Sequence, residues 1–149
     1  MFLQKIMATN APASVLLIRL MVGLVFLSEG IQKFLFPDAV GVGRFTKIGL
    51  PAPEFLAYFV AVFEVACGSL IALGLVTRLA VIPTITIMLV AIASTKVPIL
   101  LADGFWKMAH ETRTDWSMFL GSLFLLIVGA GRCSVDALLG RTDTQPPST

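Results

Sequence analysis

The chain has 149 residues, a length for one domain, with 57% apolar and only 13% charged residues. A soluble domain carries about 25% charged residues, so this balance, with a mean hydropathy of +0.93, points to a membrane protein. The net charge of +2 is small and scattered, which gives nucleic acid no footing as a partner.

At the N-terminus, "MFLQKIM" is too short an apolar block for a cleavable signal, and "TNAPAS" leads directly into a long apolar run. The first span is therefore expected to be retained. A bilayer-spanning helix needs about 20 mostly apolar residues, and four stretches approach this: 14–36, 55–76, 79–101 and 116–131. Pro12 and Pro53 suit helix starts, and Thr114 or Asp115 is the expected N-cap of the short fourth span. Between the spans lie a Gly/Pro-rich loop over 37–54, a tight "LVTRL" turn, and a charged loop over 102–115. The expected architecture is all-α: an integral membrane four-helix bundle over 14–133 with both termini on one face. Residues 1–13 precede it, and a polar tail over 134–149 is expected to be flexible. Basic residues divide almost equally between the two faces, so charge leaves the orientation open.

Inside the spans, Glu29, Lys33, Glu64 and Lys96 need an explanation, because an ionised group at depth costs at least about 2.5 kcal/mol. Glu29 and Lys33 have the favourable i,i+4 order. At 1.5 Å per residue, Glu29 lies roughly 10 Å and Lys33 roughly 5 Å below the long-loop face, with Glu64 at roughly 14 Å and Lys96 at roughly 8 Å. All four fall in one half of the bilayer, beneath Asp103, Lys107, His110, Glu111, Arg113 and Asp115 of the long loop. Two readings follow. One is a salt-bridge network matching two acids with two lysines. The other is a polar cavity for a small polar or redox-active molecule, the default for ionisable residues at this depth.

Glu64 has no base at helical spacing on its own helix, which makes it the candidate proton carrier. His110 stands beside Glu111 in "MAHETRTDW" and is a candidate proton donor or acceptor. "HE" without a second His is no metal signature, so no metal is expected. Arg19 can snorkel to the interface, and Arg132 and Asp136 lie at or beyond the end of the fourth span. Cys67 lies in mid-span and Cys133 at the terminal face, so the two are not expected to be partners, and Cys67 suits a core position. Glycines at 23, 30, 68 and 74 permit close helix approach. Trp106 and Trp116 bracket the long-loop interface as an aromatic belt.

These residues resemble a family pattern. "LLIRLMVGLVFLSEGIQKF", "GLPAP", "VFEVACGSLIALGLVTRLA", "HETRTDWSMFLGSLFLLIVGAG" and "GRCSVD" occur in the order seen in the DoxX family of small four-helix membrane proteins. The resemblance runs from Leu16 to Asp136. Glu29 stands where many relatives carry His. The resemblance implies a bacterial-type inner membrane, cytoplasmic termini, and links to quinone-dependent oxidation, oxidative stress, and catechol or quinone resistance. By resemblance Arg19, Lys33, Glu64, Arg78 and His110–Glu111 are the matching polar positions.

The leading expectation is a quinone-linked oxidoreductase component, with no covalently bound cofactor, working with a redox-protein partner or as a homo-oligomer. Glu29, Lys33, Glu64, His110 and Glu111 form the candidate catalytic set, and Arg19, Lys96, Asp115 and Trp106 are candidate ligand contacts. A lysine would stabilise negative charge developing on a ring oxygen, and the acids and His110 would handle protons. A proton-coupled small-solute transporter and a structural assembly subunit are the alternatives.

Overall fold

The structure, a computed structural model, describes residues 11–142, with side chains through Leu139. Every regular element among them is helical. Helix α1 spans Val15–Leu35 and stops where Phe36 precedes Pro37, whose ring disfavours a helical residue before it. A short helix α2, Val42–Lys47, interrupts the Gly/Pro-rich loop. Helix α3, Pro53–Leu73, begins on Pro53, where a missing N–H costs nothing. It ends at Gly74, whose φ of +73° is open to glycine. There the Gly74 N–H donates to Ile71 O and the Leu75 N–H to Leu70 O, which closes the last turn.

The third long element is broken. Helix α4, Thr77–Ala91, runs into a π-helical turn at Ile92–Lys96 and then α5, Val97–Asp103. Pro98 supplies the reason: it offers no N–H to the turn before it, and its ring collides with that turn, so the ladder widens there. Helix α6, Phe105–Val128, starts after Gly104 rather than at Asp115. The expected charged loop is thus a single turn, because residues 105–115 contain no Gly or Pro and include Lys, Met, Ala, Glu and Arg, all good helix formers. An Asp103–Lys107 pair at 2.9 Å braces the junction. The segment after Cys133, expected to be flexible, carries helix α7, Val135–Thr142.

Among the described residues, three helical stretches are long and apolar enough to cross a membrane: Val15–Leu35, Pro53–Leu73 and Thr77–Asp103. Helix α6 has the length for a fourth, but its first half holds Lys107, His110, Glu111, Arg113 and Asp115. The expected bounds shift accordingly, since the second span ends before Val76 and the third begins at Thr77.

The helices pair antiparallel, α1 with α3 and α4 with α6. Glycine sets the first pairing. A Cβ at Gly23 would sit 2.6 Å from Ala72 N, and one at Gly68 would sit 2.6 Å from Leu27 N, so the two backbones touch directly. This close approach maximises dispersion contacts where lipid provides no hydrophobic drive. Val22, Phe26, Ile71, Val81, Met118 and Leu125 then fill the space among the four long helices.

One end of this assembly is fastened by polar contacts. Arg19, expected to snorkel, is buried: its Nε donates to Ala72 O at 3.2 Å and one terminal nitrogen to Ala130 O at 2.9 Å. Arg78 donates to the carbonyls of Leu126, Ile127 and Val128. Asp136 is also buried, and its two oxygens accept the N–H groups of Val76 at 2.7 Å and Thr77 at 3.1 Å. Val76 holds φ at +43°, an unfavourable region for a β-branched residue, so Asp136 stabilises a strained helix start. Replacing Asp136 with Ala strands two donors and should lower stability by about 1–3 kcal/mol. Asp136→Asn keeps an acceptor and should lose less, as read by thermal unfolding in detergent micelles.

Candidate functional site

At the opposite end, α1 delivers Lys33 and α3 delivers Glu64. Gly30 makes their meeting possible, because a Cβ there would lie 2.8 Å from Ala61 O and 2.9 Å from Glu64 Cβ. With the backbones this close, Lys33 reaches across from less than a turn further along α1. Its Nζ lies 2.7 Å from Glu64 Oε2, and both side chains are almost fully buried. The same Nζ lies 3.4 Å from Glu29 O and 3.8 Å from Glu29 Oε2. Glu29 is the accessible member, with 47% of its side chain exposed against 4% for Glu64. Gly41, leading into α2, lies against the end of α1, where a Cβ would come 2.8 Å from Lys33 O.

Lys96 belongs to a second group. The π-helical turn directs its ammonium to α6, where it lies 3.1 Å from Asp115 Oδ2 and donates to Glu111 O at 2.9 Å. The four intramembrane charges predicted to share one site therefore fall into two sets on two helix pairs. Two acids do not match two lysines: Glu29 and Glu64 share Lys33, while Lys96 takes Asp115. The reason is geometric, since the π-helical turn and α5 pack on α4 and α6. Glu64, read from its own helix as lacking a base, receives one from α1.

The other expected site residues are placed as follows. Glu111 contributes its main-chain carbonyl to Lys96 while its side chain points into the open, and His110 and Trp106 are exposed. His110 has no hydrogen-bond partner among the described residues. Arg19 lies at the other end, committed to main-chain carbonyls. Cys67 is buried, Cys133 is exposed, and both are free. Among the described residues no group of three or more His, Cys, Asp and Glu could hold a metal ion. Asp136, placed by sequence at or beyond the end of the fourth span, is buried, and the signal for it is an acid in the first turn of a helix just after Ser134.

On its outward side, away from the buried Glu64, α3 presents an aromatic face. Phe55, Tyr58, Phe59, Val62 and Phe63 line a groove of about 610 Å³ with Glu54 at its lip. Phe59 and Phe63 lie 4.8 Å apart between ring centres, and Phe34 of α1 stacks on Tyr58 at 5.8 Å. The Lys33 group thus combines a buried ammonium with one accessible and one buried carboxylate, while the aromatic groove lies on the outward face of the same helix.

Comparison with known proteins agrees with the pattern of the spans. The family model described as DoxX matches residues 14–97. A Mycobacterium tuberculosis protein, "Uncharacterized membrane protein Rv3486", is 49% identical over 146 residues, covering 94% of this chain and 90% of that protein. "Putative oxidoreductase CatD" of Bacillus subtilis is 30% identical over 121 residues, covering 81% of this chain and 83% of its own length. No solved structure matches.

Proposed function

The chain belongs to the DoxX family of membrane proteins, and from that premise we propose that it is a quinone-linked component of a membrane oxidoreductase. The observation that carries the reading is a lysine ammonium held at 2.7 Å from a buried carboxylate within membrane-spanning helices, with a second, accessible carboxylate beside it. Its likeness to a relative named as an oxidoreductase supports redox chemistry over transport. In this reading α6 completes a four-helix membrane bundle whose termini share the cytoplasmic face of a bacterial inner membrane.

The residues present suit a quinone ring. The aromatic groove on α3 offers stacking surfaces, and it opens toward lipid, the phase in which such a molecule travels. A bound quinone would supply two-electron, two-proton redox chemistry. The chain's own groups do the rest. Lys33 offers positive charge to an oxygen that approaches past the half-exposed Glu29, Glu29 exchanges protons with the outside, Glu64 holds the ammonium in place, and Phe55, Phe59 and Phe63 gather the ring on the lipid side of α3. Electrons come from a partner protein, which this reading requires.

A second reading has an observation of its own. Lys33 meets three oxygen atoms, all from within the protein, so its charge is already satisfied as a structural lock. Lys33→Met separates the two. On the redox reading, quinone turnover in membranes carrying this variant falls by roughly a hundredfold to a thousandfold, the range for loss of one electrostatic donor. Unchanged turnover per folded protein, with a lowered thermal midpoint, would leave the lock.

A further inference from the structure

The fastened end of the molecule carries a second groove, remote from the Lys33 group. It has a volume of about 300 Å³ and lies between the last turn of α3 and helix α7, lined by Leu73, Arg132, Cys133, Ser134, Val135 and Leu138. Its shape is held by the chain itself. Ser134 Oγ donates to Gly131 O at 2.6 Å and accepts the Ala137 N–H at 3.1 Å, while Asp136 ties α7 to the start of α4. Leu73 and Leu138 leave 59% and 63% of their surface open along the groove.

Arg132 sits at its rim. The other described arginines at this end, Arg19 and Arg78, turn their guanidinium groups to main-chain carbonyls. Arg132 is exposed, and its guanidinium meets no acceptor among the described residues. The neighbouring acid, Asp136, is buried and occupied by two N–H groups, so among the described residues no carboxylate is left to Arg132. Because Leu73 is the last residue of a membrane-spanning helix, the groove lies at the depth where acyl chains meet headgroups.

We propose that this groove binds an anionic phospholipid, with the phosphate on Arg132 and an acyl chain along Leu73 and Leu138. An exposed cation above an open apolar surface at headgroup depth complements that one class of molecule. Zwitterionic lipid offers the chain without the net charge, and free phosphate offers the charge without the chain.

The test uses the full chain in bilayer discs of phosphatidylcholine with or without phosphatidylglycerol. Native mass spectrometry should show phosphatidylglycerol retained in preference to phosphatidylcholine. Arg132→Gln should weaken that retention about fivefold, the equivalent of about 1 kcal/mol for one basic residue at an anionic surface, and Arg132→Lys should keep most of it. Phosphatidylglycerol should also slow modification of the exposed Cys133 by N-ethylmaleimide in the parent chain, with little slowing in Arg132→Gln. Buried Cys67 stays silent in that assay. Equal retention by the parent and Arg132→Gln, equal protection by phosphatidylcholine, or equal protection by inorganic phosphate would each overturn the proposal. Arg132 is exposed and touches no part of the Lys33 group, so these variants fold and leave that site intact.

Discussion

Replacing Glu64 with Ala while Lys33 remains should destabilise the protein by about 3–5 kcal/mol, the range for leaving one partner of a buried ion pair without its counter-charge. Glu29 cannot take over in the present geometry, since its carboxylate stands 3.8 Å from Nζ and is half exposed. The double variant Lys33→Met/Glu64→Leu removes both charges and should recover most of the loss, because a well-packed apolar pair often matches a buried ion pair. Thermal unfolding of the three proteins in one lipid composition reads the cycle. A single variant that loses less than about 1 kcal/mol would show that Lys33 is not held as described, since exposed pairs fall in that range. Activity then adds a second measurement: a stable double variant without quinone turnover places the pair in the chemistry, and a stable, active one makes it a lock.

The second large effect is expected at Gly68. Any side chain there drives its Cβ to 2.6 Å from Leu27 N and 2.8 Å from Gly23 O, which are main-chain atoms that cannot swing aside. Gly68→Ala should cost about 1–3 kcal/mol, as overpacking does, and Gly68→Leu should force α1 and α3 apart. Separation at Gly68 also withdraws Lys33 from Glu64, because both contacts lie along the same helix pair. Ala66→Leu, two residues away on the exposed side of α3, serves as the neutral control. Equal thermal midpoints for Gly68→Leu and Ala66→Leu would contradict the backbone contact.

The helical class and the long apolar stretches were legible because composition and hydropathy accumulate over many residues. The placement of Glu29, Lys33 and Glu64 toward one end followed from counting rise per residue, and the structure brings those three together. Partner choice was not legible in the same way. Lys96 lies at a similar depth but on another helix pair, and depth carries no information about azimuth. Pro98 was visible in the sequence, yet its consequence for the direction of Lys96 depends on how the helix ladder relaxes around it. The charged stretch over 105–115 read as loop because its polarity outweighed its helix-forming residues. Arg19 read as an interfacial side chain because the carbonyls that bind it come from Ala72 and Ala130, far along the chain.

That distance has a consequence for how the protein is made. Arg19 and Ala130 are separated by 111 positions, and Asp136 lies 60 positions beyond the Val76 N–H it accepts. Synthesis proceeds from the N-terminus, so the first helix enters the bilayer with its guanidinium still waiting for a carbonyl that emerges near the end of translation. The start of α4 likewise waits for a carboxylate from a later helix. A chain cut short before Ala130 therefore leaves the Arg19 guanidinium with the Ala72 carbonyl alone at membrane depth, a half-made contact by which incomplete copies can be distinguished from finished ones.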